Sequence, residues 1–201
     1  MPTDASHPDY SPATALIVVD MQHDFADPAG SLYVRGGEDL LPGIVAEIER
    51  TREAGGPVLY TQDWHPKHTP HFAADGGIWP VHCVMGTPGA EFVPGLPVEG
   101  PVVRKGSGPE DGYSGFSVLD LRTGHTHETE LDSMLADRNV TALRIVGLAG
   151  DYCVKATAID AVGLGYAAIV PLRLTRFVEL HPGDRDAAVE AMAEAGVELE
   201  D

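Results

Sequence analysis

Cysteine is scarce in this chain: Cys83 and Cys153 are the two thiols in 201 residues. A lone pair makes no disulfide framework, so each thiol has to be explained by its own neighbours. Positive charge is scarce too. Thirteen Lys and Arg stand against 31 Asp and Glu, a formal net charge of -18. That charge repels phosphate backbones and anionic membrane surfaces, which argues against nucleic acid or lipid as partners. No stretch reaches the roughly 18 continuous apolar residues that a membrane span needs, and the opening MPTDASHPDYSPAT has neither the basic start nor the apolar centre of a secretory signal. The expectation is a cytoplasmic protein. Disorder and fibrous repeats are excluded by 43% hydrophobic and 22% charged residues, ordinary globular values. The length suits one compact domain over residues 13–201, with 1–12 as a loose extension; homo-oligomerisation is left open.

ATALIVVD, PVLYTQD, PVVRKG, VTALRIVGLA and AAIVPL are short apolar, β-branched runs and read as buried strands. EDLLPGIVAEIERTREAGG carries Leu40, Leu41, Ile44, Val45 and Ile48 near helical spacing and stops at Gly55 and Gly56. TELDSMLADRN, DYCVKATAIDAVGLGY and GDRDAAVEAMAEAG read as further helices. This alternation predicts a three-layer, doubly wound α/β fold with a mostly parallel sheet and helices on both faces. In such sheets ligands bind beyond the carboxyl ends of the strands. Asp20, Asp63, Lys105 and Cys153 all fall at such ends or just past them, so they are expected on one rim.

Asp63 and His65 alternate as the chain leaves a strand, so both side chains point one way if the extended conformation continues. His71 follows six residues later, and His82 lies in WPVHC. One carboxylate with two or three imidazoles suits a divalent transition ion, zinc ahead of iron or manganese, and the lack of thiolates argues against a purely structural zinc site. His68, between Lys67 and Thr69, reads as an exposed turn. His125 and His127 of GHTHE read as a surface loop, and Cys83 as a buried structural thiol.

Cys153 opens a helix after a strand. A helix amino terminus acidifies a thiol and offers N–H groups as an oxyanion hole, so Cys153 is the better nucleophile. Asp20 is then the base that takes and returns its proton, with Lys105 the cation that holds that carboxylate ionised and near the thiol. A metal-bound hydroxide with a merely structural Cys153, or a binding protein without turnover, stands as the alternative.

Together LIVVDMQHDF, TQDWHPKHTPHF, WPVHCVMGTPGAEF, RKGSGPEDGYSGF and VGLAGDYCV resemble the nicotinamidases of the isochorismatase-like cysteine amidohydrolase family, over nearly the whole chain after the first dozen residues. The resemblance implies hydrolysis of nicotinamide, and of its isostere pyrazinamide, to the acid and ammonia through a thioester. A related cysteine amidohydrolase for another small amide is the competing reading. It implies a Cys153, Asp20 and Lys105 triad, and a metal held by Asp63, His65 and His82, with His71 a ligand in some members. It further implies a pyridine ring between Phe25 and Trp79, its nitrogen on the metal, and an oxyanion hole from Ala149 and Cys153 after a cis Leu148–Ala149 peptide. Two departures are Gly150, where threonine is frequent, and the unmatched RTGHTHETEL segment.

Overall fold

The computed structural model describes residues 10–108, 110–121 and 123–201; most of the expected loose extension, residues 1–9, lies outside the described residues. The strands are β1 (Thr14–Val19), β2 (Val58–Asp63), β3 (Val102–Lys105), β4 (Glu110–Asp111), β5 (Ser117–Asp120), β6 (Thr126–Glu128), β7 (Ala142–Leu148), β8 (Ala167–Pro171), β9 (Thr175–Arg176) and β10 (Glu198–Glu200). The helices are α1 (His23–Ala26), α2 (Leu41–Glu53), α3 (Leu131–Ala136), α4 (Cys153–Gly163) and α5 (Asp184–Glu194).

β1 is apolar and buried along its whole length because both of its faces are covered. Leu16 and Val18 pack with Ile44 and Ile48 of α2. Ala15, Ile17 and Val19 point the other way, into a second core with Leu131 of α3, Val154 and Ala158 of α4 and Met192 of α5. The result is three layers: one long helix, the sheet, and three helices behind it.

The main sheet runs β10-β8-β7-β1-β2-β3, with β9 added beside the end of β7, and its pairings are parallel. From β1 the chain moves outward through β2 to β3, then returns to β7 on the other flank. This reversal of direction at β1 opens a crevice at the carboxyl ends of the strands. β9, β10 and a separate antiparallel sheet β4-β5-β6 add to the five strands expected. The RTGHTHETEL segment supplies β6 of that small sheet; Arg122 lies outside the described residues. Among the described residues no helix is long and apolar enough to cross a membrane.

Candidate active site

Asp20 directly follows β1, Asp63 ends β2 and Lys105 ends β3, with Asp63 and Lys105 facing each other in register. Asp20 has φ 47°, the left-handed region that Asp tolerates better than most residues. Its Oδ1 accepts a hydrogen bond from Thr61 Oγ1 at 2.7 Å. Lys105 Nζ lies 2.7 Å from Asp20 Oδ2, also pairs with Asp63 Oδ1, and donates to Cys153 Sγ at 3.4 Å. A carboxylate oxygen of Asp20, one of Asp63 and Cys153 Sγ lie within 4.8 Å of one another. Four side chains from four strand ends thus meet, all of them buried.

Burial decides the electrostatics. It opposes the charge on Lys105, but Asp20 and Asp63 overcome it and hold the ammonium protonated well beyond its ordinary range. Burial also opposes ionisation of Asp63, yet Lys105, His65 and His82 keep its carboxyl well below the usual range. For Asp20 burial prevails over Lys105 and the pKa rises. Cys153 runs against the expectation of an acidified thiol: burial pushes it well above its ordinary value, Lys105 opposes, and Asp20 and Asp63 add to the rise. The resting sulfur therefore keeps its proton, beside a carboxylate whose affinity for protons is raised as well.

Asp63, His65, His71 and His82 converge beside this cluster. One ring nitrogen from each of the three histidines lies within 4.8 Å of the others. Asp63 Oδ2 is 3.6 Å from His65 Nε2 and 4.0 Å from His82 Nε2. Each of these rings has its far nitrogen on a carbonyl, His65 Nδ1 3.2 Å from Gly106 O and His82 Nδ1 2.7 Å from Pro80 O, the second contact that orients metal-binding imidazoles. Gly106, at φ +71°, is what lets the His65 ring sit there, since a Cβ would fall 2.4 Å from its Cε1. Burial lowers the His82 pKa to about 4, leaving it neutral and able to ligate. His65 Nε2 is buried and makes no hydrogen bond. An unbonded buried nitrogen, together with two carboxylates against one ammonium, fits a divalent cation at this place. His68 is exposed and pairs with Asp75; His125 and His127 are exposed, and Cys83 is buried.

After β7 the Leu148–Ala149 peptide is cis. Gly150 N–H is bonded to Arg176 O, and the Tyr152 and Val154 N–H groups to Ala149 O. Among the described residues the N–H groups of Ala149 and Cys153 have no main-chain acceptor. Phe25, Trp79, Ala149 and Cys153 line one cleft with Asp63, His71 and His82. Its apolar walls include Leu32, Val34 and Val178.

Several residues here are not legible from motif logic. Gln22 fixes Asp63 on both sides, its Nε2 donating to Asp63 O at 2.7 Å and its Oε1 accepting from Asp63 N–H at 2.8 Å. Trp79 Nε1 donates to Tyr113 OH at 3.0 Å, and Tyr152 meets the Trp79 ring edge to face at 4.9 Å. Proximity to Asp20 and Cys153 in the chain is the signal for Gln22 and Tyr152; Tyr113 has none.

The isochorismatase domain model matches residues 14–201. The chain belongs to the isochorismatase family. Within it, the nicotinamidase/pyrazinamidase of Mycobacterium tuberculosis is 38% identical over 190 residues, 92% of this chain and 97% of that protein. The pyrazinamidase of Pyrococcus horikoshii, solved in complex with zinc, superposes with a TM-score of 0.82 at 38% identity, over 94% of this chain and 98% of that one. L. infantum PnC1, solved in complex with nicotinate, does so with a TM-score of 0.85 at 36% identity, over 94% and 93%. Against the family pattern, Gly150 has a local reason: a Cβ there would lie 2.6 Å from Cε1 of Phe177.

Proposed function

We propose that this isochorismatase-family chain hydrolyses nicotinamide to nicotinic acid and ammonia, and pyrazinamide in the same way, with Cys153 as nucleophile. The observation that carries the reading is the joining of Lys105 to Asp20, Asp63 and Cys153, which sets a thiol, a base and a metal-ligand carboxylate around one ammonium. The relatives named above supply the substrate class.

Phe25 and Trp79 flank the ring and set its plane, so that the carboxamide meets the sulfur in one orientation. A divalent ion, zinc in this reading, would be held by Asp63, His65, His82 and His71 and would supply Lewis acidity beside the bound ring. Asp20 takes the Cys153 proton as the sulfur attacks the carbonyl carbon. The Ala149 and Cys153 N–H groups receive the developing oxyanion. Asp20 then delivers the proton to the amide nitrogen, the C–N bond breaks, and ammonia leaves a thioester. Water gives a proton to Asp20 and attacks that thioester; collapse releases the acid and re-forms the thiol. Because the resting thiol is neutral, proton transfer to Asp20 accompanies attack rather than preceding it.

Cys153→Ala is expected to lower ammonia release from nicotinamide by about 10⁴-fold or more while metal content, read by atomic emission, stays that of the parent chain. Appreciable turnover by that variant would refute covalent catalysis. Removing the metal with a chelator should abolish turnover and adding back zinc, iron or manganese should restore it; the ion giving the highest rate identifies the preferred cofactor, and full activity of the stripped protein would end the metal-anchored reading.

A further inference from the structure

Of the described arginines, Arg50, Arg52, Arg144 and Arg173 are paired with carboxylates, Arg104 donates to Gln62 and lies over the Trp64 ring, and Arg138 donates to the Met134 carbonyl. Arg35, Arg176 and Arg185 are different. They line one solvent-open cavity of about 280 Å³, and among the described residues none of the three pairs with a carboxylate. Arg176 donates only to the carbonyls of Arg173 and Thr175, and Arg185 lies over the Phe177 ring at 5.3 Å. In a chain of net charge -18, three arginines thus border one space with no carboxylate in ion-pair contact among the described residues, and Glu38 acts on Arg176 only through its longer-range field. Glu179 also borders the cavity, so the residues lining it sum to two positives before the field of Glu38 at Arg176 is counted. Converging like charges repel, and an anion between them removes that cost; guanidinium groups bind phosphate oxygens in bidentate fashion.

This cavity shares a wall with the catalytic cleft. Val178 lines the cleft, while its neighbours Arg176, Phe177 and Glu179 line the cavity. The wall is tied to the turn before Cys153 at three places. Gly150 N–H donates to Arg176 O at 2.7 Å. The buried Asp151 carboxylate accepts from the N–H groups of Val178 and Glu179 at 3.0 and 2.9 Å. The Phe177 ring covers Gly150.

The geometry points to a binding site for a phosphate dianion in this cavity, held by Arg35, Arg176 and Arg185, whose occupancy is felt at the Cys153 turn through Phe177 and Asp151. The binding part stands without the amidohydrolase reading; the coupling part rests on it.

Titration calorimetry of the metal-loaded full chain with inorganic phosphate, at ionic strength held constant with chloride, should give one saturable site. Arg35→Ala and Arg185→Ala, both at exposed positions, should each raise Kd about tenfold, and the double variant should lose the saturable heat while keeping the parent Tm. A methyl phosphate arm that binds more tightly than inorganic phosphate identifies a phosphomonoester as occupant; the reverse order identifies the free ion. No saturable heat in the parent, or an unchanged Kd in the double variant, overturns the site. Phosphate should also change KM for nicotinamide in the parent and not in the double variant. An equal change in both marks action at the metal and overturns the coupling, as does no change in the parent while binding persists.

Discussion

The Asp24 carboxylate accepts the N–H of Cys83 at 2.7 Å and that of Ser31 at 3.1 Å. It thereby fixes the main chain one residue beyond His82, and does so from α1, which also carries Phe25. A single carboxylate sets the spacing between an aromatic wall of the cleft and a candidate metal ligand. Asp24→Ala frees both N–H groups, and the expected result is a loss of metal affinity of about 10- to 100-fold, the usual cost of removing an outer-sphere support, measured by competition with a chromophoric chelator. Cys83 contributes through this main-chain N–H, while its buried thiol is driven well above its ordinary pKa by burial, with Asp63 adding. The two cysteines are thus alike in burial and in protonation. What separates them is the company of the thiol, since Cys153 alone receives a hydrogen bond from Lys105.

The link between β7 and α4 shows how neighbouring elements choose a residue. Motif logic places the nucleophile at the start of that helix and leaves the glycine before it unexplained. The explanation comes from the segment after β9, which lays the Phe177 ring where the Gly150 side chain would be. Gly150→Ala should therefore destabilise the fold by about 1–3 kcal/mol through overpacking, and the same change should cost measurably less in a Phe177→Ala background. A denaturant-melt double-mutant cycle reads the difference; strict additivity would mean that the ring is not what excludes the side chain. Strands β9 and β10 escape sequence patterning for a related reason. TR and ELE carry no apolar run. They become strands because the edges of β7 and β8 offer unpaired main-chain groups beside them.

Seen across its full width, the molecule is clamped at the α2 face of the sheet by an ionic network. Glu47 of α2 meets Arg144 of β7 at 3.3 Å and Arg173 at 3.2 Å, and Tyr10 OH donates to it as well. Arg144 also holds both oxygens of Glu200 in β10, at 2.9 and 2.7 Å. Tyr10, α2, the central strand β7 and the edge strand β10 are joined by this one cluster. The hydrogen bonds from Arg144 keep the Glu200 pKa below its ordinary 4.5. Its contribution to stability is therefore complete above that unfolded value and is lost as pH falls through the lower, folded one. Glu200→Gln should lower stability near pH 7 by about 1 kcal/mol and leave less to lose on acidification. Tm measured from pH 7 down to pH 3 tests this: parent and variant should converge at the acid end, and a constant gap would assign the loss to packing instead.

The amino-acid order alone determined which chemistry arrives at which strand end. Apolar runs that stop at Asp20, Asp63 and Lys105, and a helix that opens at Cys153, are local facts, and parallel crossovers oblige those ends to share a rim. Tertiary structure decided the rest, because it depends on which distant segments touch. Burial turned the expected acidic thiol into a neutral one, Phe177 selected glycine at 150, Tyr113 came to the Trp79 indole, and Arg35 was brought to the cavity that Arg176 and Arg185 line. Periodicity reports the face a residue presents; desolvation and contact are properties of what that face meets.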